Sequence, residues 1–521
     1  MNSTRHGGVV AVGFVSAVAA MLSAAAPALA QWSTNPGVNL PLANLPGEQV
    51  QPKVRPRTDG GVYVSWFDNA TGGYDVRLQR LNAAGVEQWA HNGLLIADRS
   101  FSSTQDYGLA VDGSGPALIS YRDDRATGIQ VGVNRVDAAG MLLWGPLGVV
   151  LTSTTDFIAS PKVCGTTDGL AVVGWTQGNN GVLQKLDANG QPQWGAGVTI
   201  SPAAGTYTVT DVVPGELGGV IVGLVKGPER HLHAQKYDAN GQPMWGLTPL
   251  VIFSGSALQF GYFPAPISTG VGGAVFAWYE TGGTRNVYAQ HVTPIGVQMY
   301  GPNGLAVVNN QQTLRLSPGF AYDSVTGDLY VFWTDTNQAQ SLWGLSGQKI
   351  SFTGVRVWGD SGVQLLPLTA NQNSFVKTVV QGDGALVAWF EKSGASRVMA
   401  TRVSGATGAP TWAVSPRDVC SVVSGKSRLD ACVGGGVAKL VWGDERSGPA
   451  DVYAQNIHPG GWLGAACFPD CNEDGVLSVA DFGCFQGRYV LGSQAADCNG
   501  DGQLSVGDFG CFQGKFVVGC P

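Results

Sequence analysis

The stretch Leu183–Val198, LQKLDANGQPQWGAGV, decides the fold because copies of it recur along most of the chain. LQRLNAAGVEQWAHNGLL starts at Leu78, VNRVDAAGMLLWGPLGVV at Val133, AQKYDANGQPMWG at Ala234 and AQHVTPIGVQMYGPNGLAV at Ala289. GQKISFTGVRVWGDSGV follows from Gly347, ATRVSGATGAPTW from Ala400 and a cut-off AQNIHPGG from Ala454. The turn glycines Gly85, Gly140, Gly190, Gly241, Gly296, Gly354 and Gly408 lie 50 to 58 residues apart. A near-constant period in that range, built from short alternating apolar runs, points to a β-propeller or solenoid in which each repeat is one small antiparallel sheet.

Each copy has the same anatomy. A strand such as Asp75 to Leu81 precedes the glycine turn. Before it comes another, Gly61 to Phe67 (GVYVSWF), rich in β-branched and aromatic residues with period-2 alternation. That second strand recurs with its terminal residue at Tyr121, Trp175, Leu224, Trp278, Trp333, Trp389 and Trp442, giving eight copies and eight blades. The last unit stops before its final strand. The missing piece stands at the other end of the chain, where Gln31-Trp32 to Gly37-Val38 reads like Gln88-Trp89 to Gly93-Leu94. The expectation is therefore an all-β, eight-bladed propeller over residues 31–463, closed by its N-terminal strand so that two sheet edges disappear. The unit Asp451-Val452-Tyr453-Ala454-Gln455 resembles the DVYAQ repeats of propeller families in secreted bacterial proteins, a resemblance that implies fold far more than activity.

Residues 1–30 combine a short basic start (Arg5, His6), an apolar run from Val9 to Ala26 and Ala28-Leu29-Ala30 as an A-x-A cleavage site, which reads as a secretory signal peptide. The expectation is an exported protein, extracellular or in a cell-surface assembly, with no membrane insertion after cleavage. Gly is abundant (76 residues), 15 residues are Trp and only 13% are charged, as suits an all-β body with many tight turns. With 30 Lys+Arg against 37 Asp+Glu and no basic run, the composition argues against nucleic acid or anionic lipid as partner.

Six of nine cysteines crowd into the last 55 residues: Cys467, Cys471, Cys484, Cys498, Cys511 and Cys520. In a small exported segment they read as a disulfide framework rather than a zinc site, since no C-x-x-C pair is present. Cys467 with Cys520 would staple the ends, the pairing of the other four stays open, and Cys420 with Cys432 would leave Cys164 as a buried odd thiol. The same segment holds a duplication at an offset of 27: DCNEDGVLSVADFGCFQGRYV from Asp470 and DCNGDGQLSVGDFGCFQGKFV from Asp497. Each copy has D-x-N-x-D-G with Ser at position 9 and Asp at position 12, the oxygen-donor spacing of an EF-hand-type calcium loop. The ligands expected in the first loop are Asp470, Asn472, Asp474, the Val476 carbonyl, Ser478 and Asp481. In the second they are Asp497, Asn499, Asp501, the Gln503 carbonyl, Ser505 and Asp508, for two Ca²⁺ ions in all.

Within a C-terminal domain expected over residues 464–521, the stretch Cys467 to Pro521 resembles a dockerin of the cysteine-containing variety, with FGCFQ after each loop. That resemblance implies a small α-helical calcium-binding module that docks to a cohesin-like partner, often in proteins acting on polysaccharides. The chain departs from the best-known dockerins at loop positions 10 and 11, which are Val479-Ala480 and Val506-Gly507 instead of a polar recognition pair. The calcium ligands therefore carry over, and the identity of the partner does not.

Catalytic signatures are sparse. No G-x-S-x-G, P-loop or H-E-x-x-H motif occurs, and no catalytic residue is assigned. His91, His291 and His458 read as isolated surface residues, and His231-Leu232-His233 as an exposed strand face. One positional pattern stands out: Asp68, Asp123, Glu280, Asp335, Glu391 and Asp444 each lie two residues past the strand-ending aromatic. They are either turn caps or a ring of carboxylates on one face that binds a ligand or cation. The function expected is a secreted, non-catalytic recognition protein whose propeller binds a glycan or protein. The alternative is a dockerin-anchored polysaccharide hydrolase or lyase.

Overall fold

The computed structural model describes residues 1, 32–101, 107–125, 127–282, 285–310, 312–465, 468–472, 477–493, 496–499 and 503–519. The proposed signal peptide, Met1 apart, lies outside the described residues. Eight four-stranded antiparallel sheets make an eight-bladed β-propeller. Blade 1 runs from its inner strand Gln49–Pro56 through Val62–Asp68 and Asp75–Leu81 to the outer strand Leu94–Ala97. The other blades repeat that order. No helix among the described residues is long and apolar enough to cross a membrane.

Every sheet is covered on both faces by its neighbours, so the apolar core lies between blades. Val54 and Trp66 of blade 1 share a cluster with Val441 and Val452 of blade 8, and Leu386 of blade 7 shares one with Trp442. A strand buried on both faces should be apolar throughout, which explains why all of Val62–Asp68 is buried. Trp66, Trp278, Trp333, Trp389 and Trp442 are wholly enclosed.

The repeated Gly and Trp meet across the blade boundary. The indole N–H of Trp245 donates to the Pro294 carbonyl in the next blade's turn at 3.0 Å, and a Cβ on Gly296 would lie 2.9 Å from that indole. Trp144 donates to Ala188, Trp194 to Ala239 and Trp412 to Pro459 in the same way. The glycine is thus required twice, for its left-handed backbone (φ +86° at Gly296) and as the seat for the previous blade's Trp. A glutamine on the strand just before the turn that leads to Trp245 braces the arrangement. The Gln235 amide donates to Gly246 O at 2.8 Å while its oxygen accepts the Trp245 backbone N–H at 3.1 Å.

Ring closure follows the same rule. Leu40–Ala43 is the fourth strand of blade 8, antiparallel to Asp451–Ile457, with Leu40 opposite Ala454. Trp32 donates to Ala83 O at 2.9 Å and occupies the seat at Gly85, while Gln455 donates to Ser33 O at 3.0 Å. The closing strand begins two residues later than its match to Leu94 implies, and the Trp32 latch is where the repeat places it.

After the propeller come two helices, α1 (Val479–Val490) and α2 (Val506–Val518), each entered through a serine cap, Ser478 or Ser505. Phe485 and Phe512 stack at 4.3 Å between ring centroids and centre a small aromatic core. Disulfides join Cys471 to Cys484 and Cys498 to Cys511, each tying a loop to the helix that follows it. Cys467 and Cys520 lie outside the described residues.

Candidate functional site

The second strands of the blades all end on one side of the ring, and the carboxylates singled out in the sequence stand there, turned inward. Asp68, Asp123, Glu280, Asp335 and Asp444 are buried, and only Glu391 is partly open. Each is engaged by side chains or backbone of the propeller itself. Asp68 pairs with Arg77 and accepts the Ala70 N–H at 3.0 Å. Asp123 pairs with Arg125 at 2.8 Å, and Glu391 with Arg397 at 2.6 Å. Glu280 accepts from Ser256 Oγ at 2.6 Å and Asn286 N at 3.1 Å, and Asp335 accepts the Trp333 indole N–H at 3.0 Å. At Asp444, burial works to raise the carboxyl pKa. Bonds from Arg446 at 2.6 Å and Lys426 at 2.8 Å, with Ser424, hold it well below the usual range. A buried charge so compensated is costly to break but offers little to a ligand.

The isolated histidines differ from expectation. His291 and His458 are buried, not on the surface, and so is His233, whose strand packs inside blade 4. His291 takes the position that Arg80, Lys185 and Lys236 hold in other blades, and its ring lies 4.7 Å from Phe352. Burial lowers His233 and His291 to about 4, so both are neutral imidazoles at ordinary pH. The pairing of Cys420 with Cys432 also falls. Cys164, Cys420 and Cys432 are free and buried, and Cys420 sits in the outer strand of blade 7 while Cys432 sits in the inner strand of blade 8.

In the C-terminal module the two loops are built alike. Asp481 closes the first, accepting from Ser478 N at 2.8 Å and Asn472 N at 3.2 Å. Asp508 closes the second, accepting from Ser505 N at 2.8 Å and Cys498 N at 2.8 Å. The position-12 carboxylate is thereby drawn from the helix back to the start of its loop, and Asp481, Asp508 and Asp470 are buried. Among the described residues no group of three or more His, Cys, Asp or Glu side chains comes together to hold a metal ion. Asp474, Val476 and Asp501 lie outside the described residues.

A feature that no linear reading found lies in the centre of the ring. Among the described residues, the inner strand of six blades carries a β-bulge facing the end of the second strand. In blade 1, Gln51 and Pro52 stand against Trp66, between the pairs Val50–Phe67 and Lys53–Ser65. Gln51, Ser160, Ser317, Phe375 and Arg428 have left-handed backbones there, with φ from +47° to +55°. A bulge re-aims the residues beside it. Here it brings side chains from blades 1, 3, 4, 7 and 8 to one mouth of the central channel, a cavity of about 540 Å³. Lining it are Lys53, Arg55, Lys162, Lys377 and Arg428, the carboxylates Asp211 and Asp430, and the rings of Phe263 and Phe375. Asp430 pairs with Arg55 at 3.1 Å and Lys377 at 3.4 Å. Burial would raise the Asp430 carboxyl, but Lys377, Arg55 and Lys53 bring it below its ordinary value. Asp211, where burial prevails over Lys162 and Arg55, is raised. The hint in the sequence is the shared register of Pro52-Lys53-Val54 and Pro161-Lys162-Val163, each lysine opposite the residue just before the strand-ending Trp, Ser65 before Trp66 and Gly174 before Trp175.

No family model matches the chain, and no curated protein matches it. Among solved structures, a polysaccharide lyase is 12% identical, with 78% of this chain and 89% of that one covered at a TM-score of 0.41. A europium-containing methanol dehydrogenase is also 12% identical, covering 80% and 87% at 0.43. An endo-arabinase from Bacteroides thetaiotaomicron is 10% identical, covering 46% and 90% at 0.30. Likenesses this slight, to proteins of such different activities, carry no argument about what this chain does.

Proposed function

We propose that this is an exported, non-catalytic recognition protein. Its propeller binds a glycan or protein ligand, and its C-terminal module is a calcium-dependent, dockerin-like plug for a cohesin-like partner. The observation that carries this reading is the pair of equivalent loops closed by Asp481 and Asp508, each tied by a disulfide to its own helix. Asp470, Asn472, Asp474, Ser478 and Asp481, with the Val476 carbonyl, would hold one ion. Asp497, Asn499, Asp501, Ser505 and Asp508, with the Gln503 carbonyl, would hold the other. The ion would neutralise three carboxylates per loop, and its binding free energy would stabilise the fold of the module. The two disulfides are in keeping with an oxidising compartment outside the cell.

A hydrolase or lyase centred on the ring of carboxylates is the less favoured reading, because all six are already engaged by neighbouring groups of the propeller. Calorimetric titration of the full chain with Ca²⁺ should give two sites, with Asp481→Ala and Asp508→Ala each removing one. A stoichiometry near zero, or helical ellipticity indifferent to chelator, would refute the calcium-dependent plug.

A further inference from the structure

We infer that the bulged, cationic mouth of the central channel is a binding site for an anionic oligosaccharide, one bearing carboxylate or sulfate groups. This rests on the recognition role proposed above and names the ligand class for the propeller. Five cations converge on the cavity against two carboxylates, an excess of three positive charges in a chain whose net charge is −7. Structural pairing accounts for part of this, since Asp430 is shared by Arg55 and Lys377. However those pairs are shared, the lining keeps three more positive than negative charges. Charges of one sign gathered in a cleft with low-dielectric walls focus their field on whatever enters.

The shape and the apolar lining narrow the class. The cavity of about 540 Å³ is the size of a small-ligand site. Phe263 and Phe375 line it while remaining 41% and 43% exposed. An exposed ring beside a cation offers a flat apolar face for the C–H side of a sugar while the cation meets its acid group. Arg428 stands on a left-handed backbone at the rim and is exposed. A pit at the axis of a closed ring admits the end or a short segment of a flexible chain and excludes a duplex. The negative charge elsewhere on the molecule disfavours long nucleic acid.

The test is calorimetric titration of the full mature chain, in the presence of Ca²⁺, with oligogalacturonides, sulfated dextran oligosaccharides, neutral malto-oligosaccharides and a single-stranded oligodeoxynucleotide. At least one of the two acidic sugars should bind, more weakly as salt rises, and the neutral series should not. Which acidic sugar binds distinguishes carboxylate from sulfate recognition. Arg428→Glu, an exposed change that leaves the buried pairs intact, should weaken that binding about tenfold or more with the melting curve unchanged. The double variant Lys53→Ala, Lys377→Ala should abolish it. Tighter binding of the neutral series or of the oligonucleotide, absence of acidic-sugar binding, or full affinity in Arg428→Glu would overturn the assignment. Loss of the calcium sites with acidic-sugar binding intact would instead refute the plug and leave this site standing.

Discussion

In the propeller, Trp245 of one blade fills the space over Gly296 of the next and bonds to Pro294 O, and comparable latches recur around the ring. In the C-terminal module, among the described residues, one cluster around Phe485 and Phe512 forms the core, with two disulfides and two acidic loops beside it. The ring distributes its stability over many equivalent contacts that bury large apolar side chains. The module has too little apolar surface for that and leans on its covalent ties. The expected consequence is that damage to the module is all-or-none and reagent-specific, while damage to the ring is graded and local.

The largest effect expected is from reduction. Loss of a native disulfide in a small exported domain costs about 2–5 kcal/mol, so opening Cys471–Cys484 and Cys498–Cys511 together should unfold α1 and α2. Hydrogen exchange over residues 479–518 should rise to that of an unfolded chain while the propeller strands keep their protection. A module that keeps its protection after reduction would break the comparison from one side.

Next in size is the latch. Trp245→Ala should cost about 3–5 kcal/mol in the propeller's urea transition, because a large side chain leaves a void between two blades that cannot collapse. The module's helices should be unaffected. A loss below about 0.5 kcal/mol, the range of ordinary surface changes, would show that the Gly–Trp contact contributes nothing.

The smallest effect concerns pH. His233 and His291 titrate at about 4 in the folded protein against about 6.5 unfolded, burial being the leading cause. The unfolded chain therefore binds more protons between those values, so this stability is fully present above pH 6.5 and is lost as pH falls towards 4. Each histidine should contribute about 2 kcal/mol at most to the fall in propeller stability between pH 7 and 4.5. His291→Gln should flatten the slope, and an unchanged slope would show that burial of this imidazole does not govern it.

The repeat was legible because its parts are local and periodic. A turn glycine, a Trp four residues later and an alternating apolar strand lie within one stretch of chain, and Leu183–Val198 displays them all. The eight blades and the closing role of the N-terminus followed from copying that pattern. The duplicated acidic loops were legible for the same reason. The carboxylates at Asp68, Asp123, Glu280, Asp335, Glu391 and Asp444 were found by position, but position does not tell which way a side chain turns. Arg77 and Arg125 happen to sit where they draw two of them inward. His291 reads as an isolated polar residue in the sequence and is buried because a neighbouring blade covers it.

What the sequence determined by itself is therefore what short-range chemistry controls: strand period, turn geometry, the latch residues, and the donor spacing of the loops at Asp470 and Asp497. What only the tertiary structure decided is what long-range convergence controls. Lys53, Lys162, Lys377 and Arg428 lie far apart along an acidic chain with no basic run, and they form a positive channel mouth only because the closing of a ring brings every inner strand to one axis.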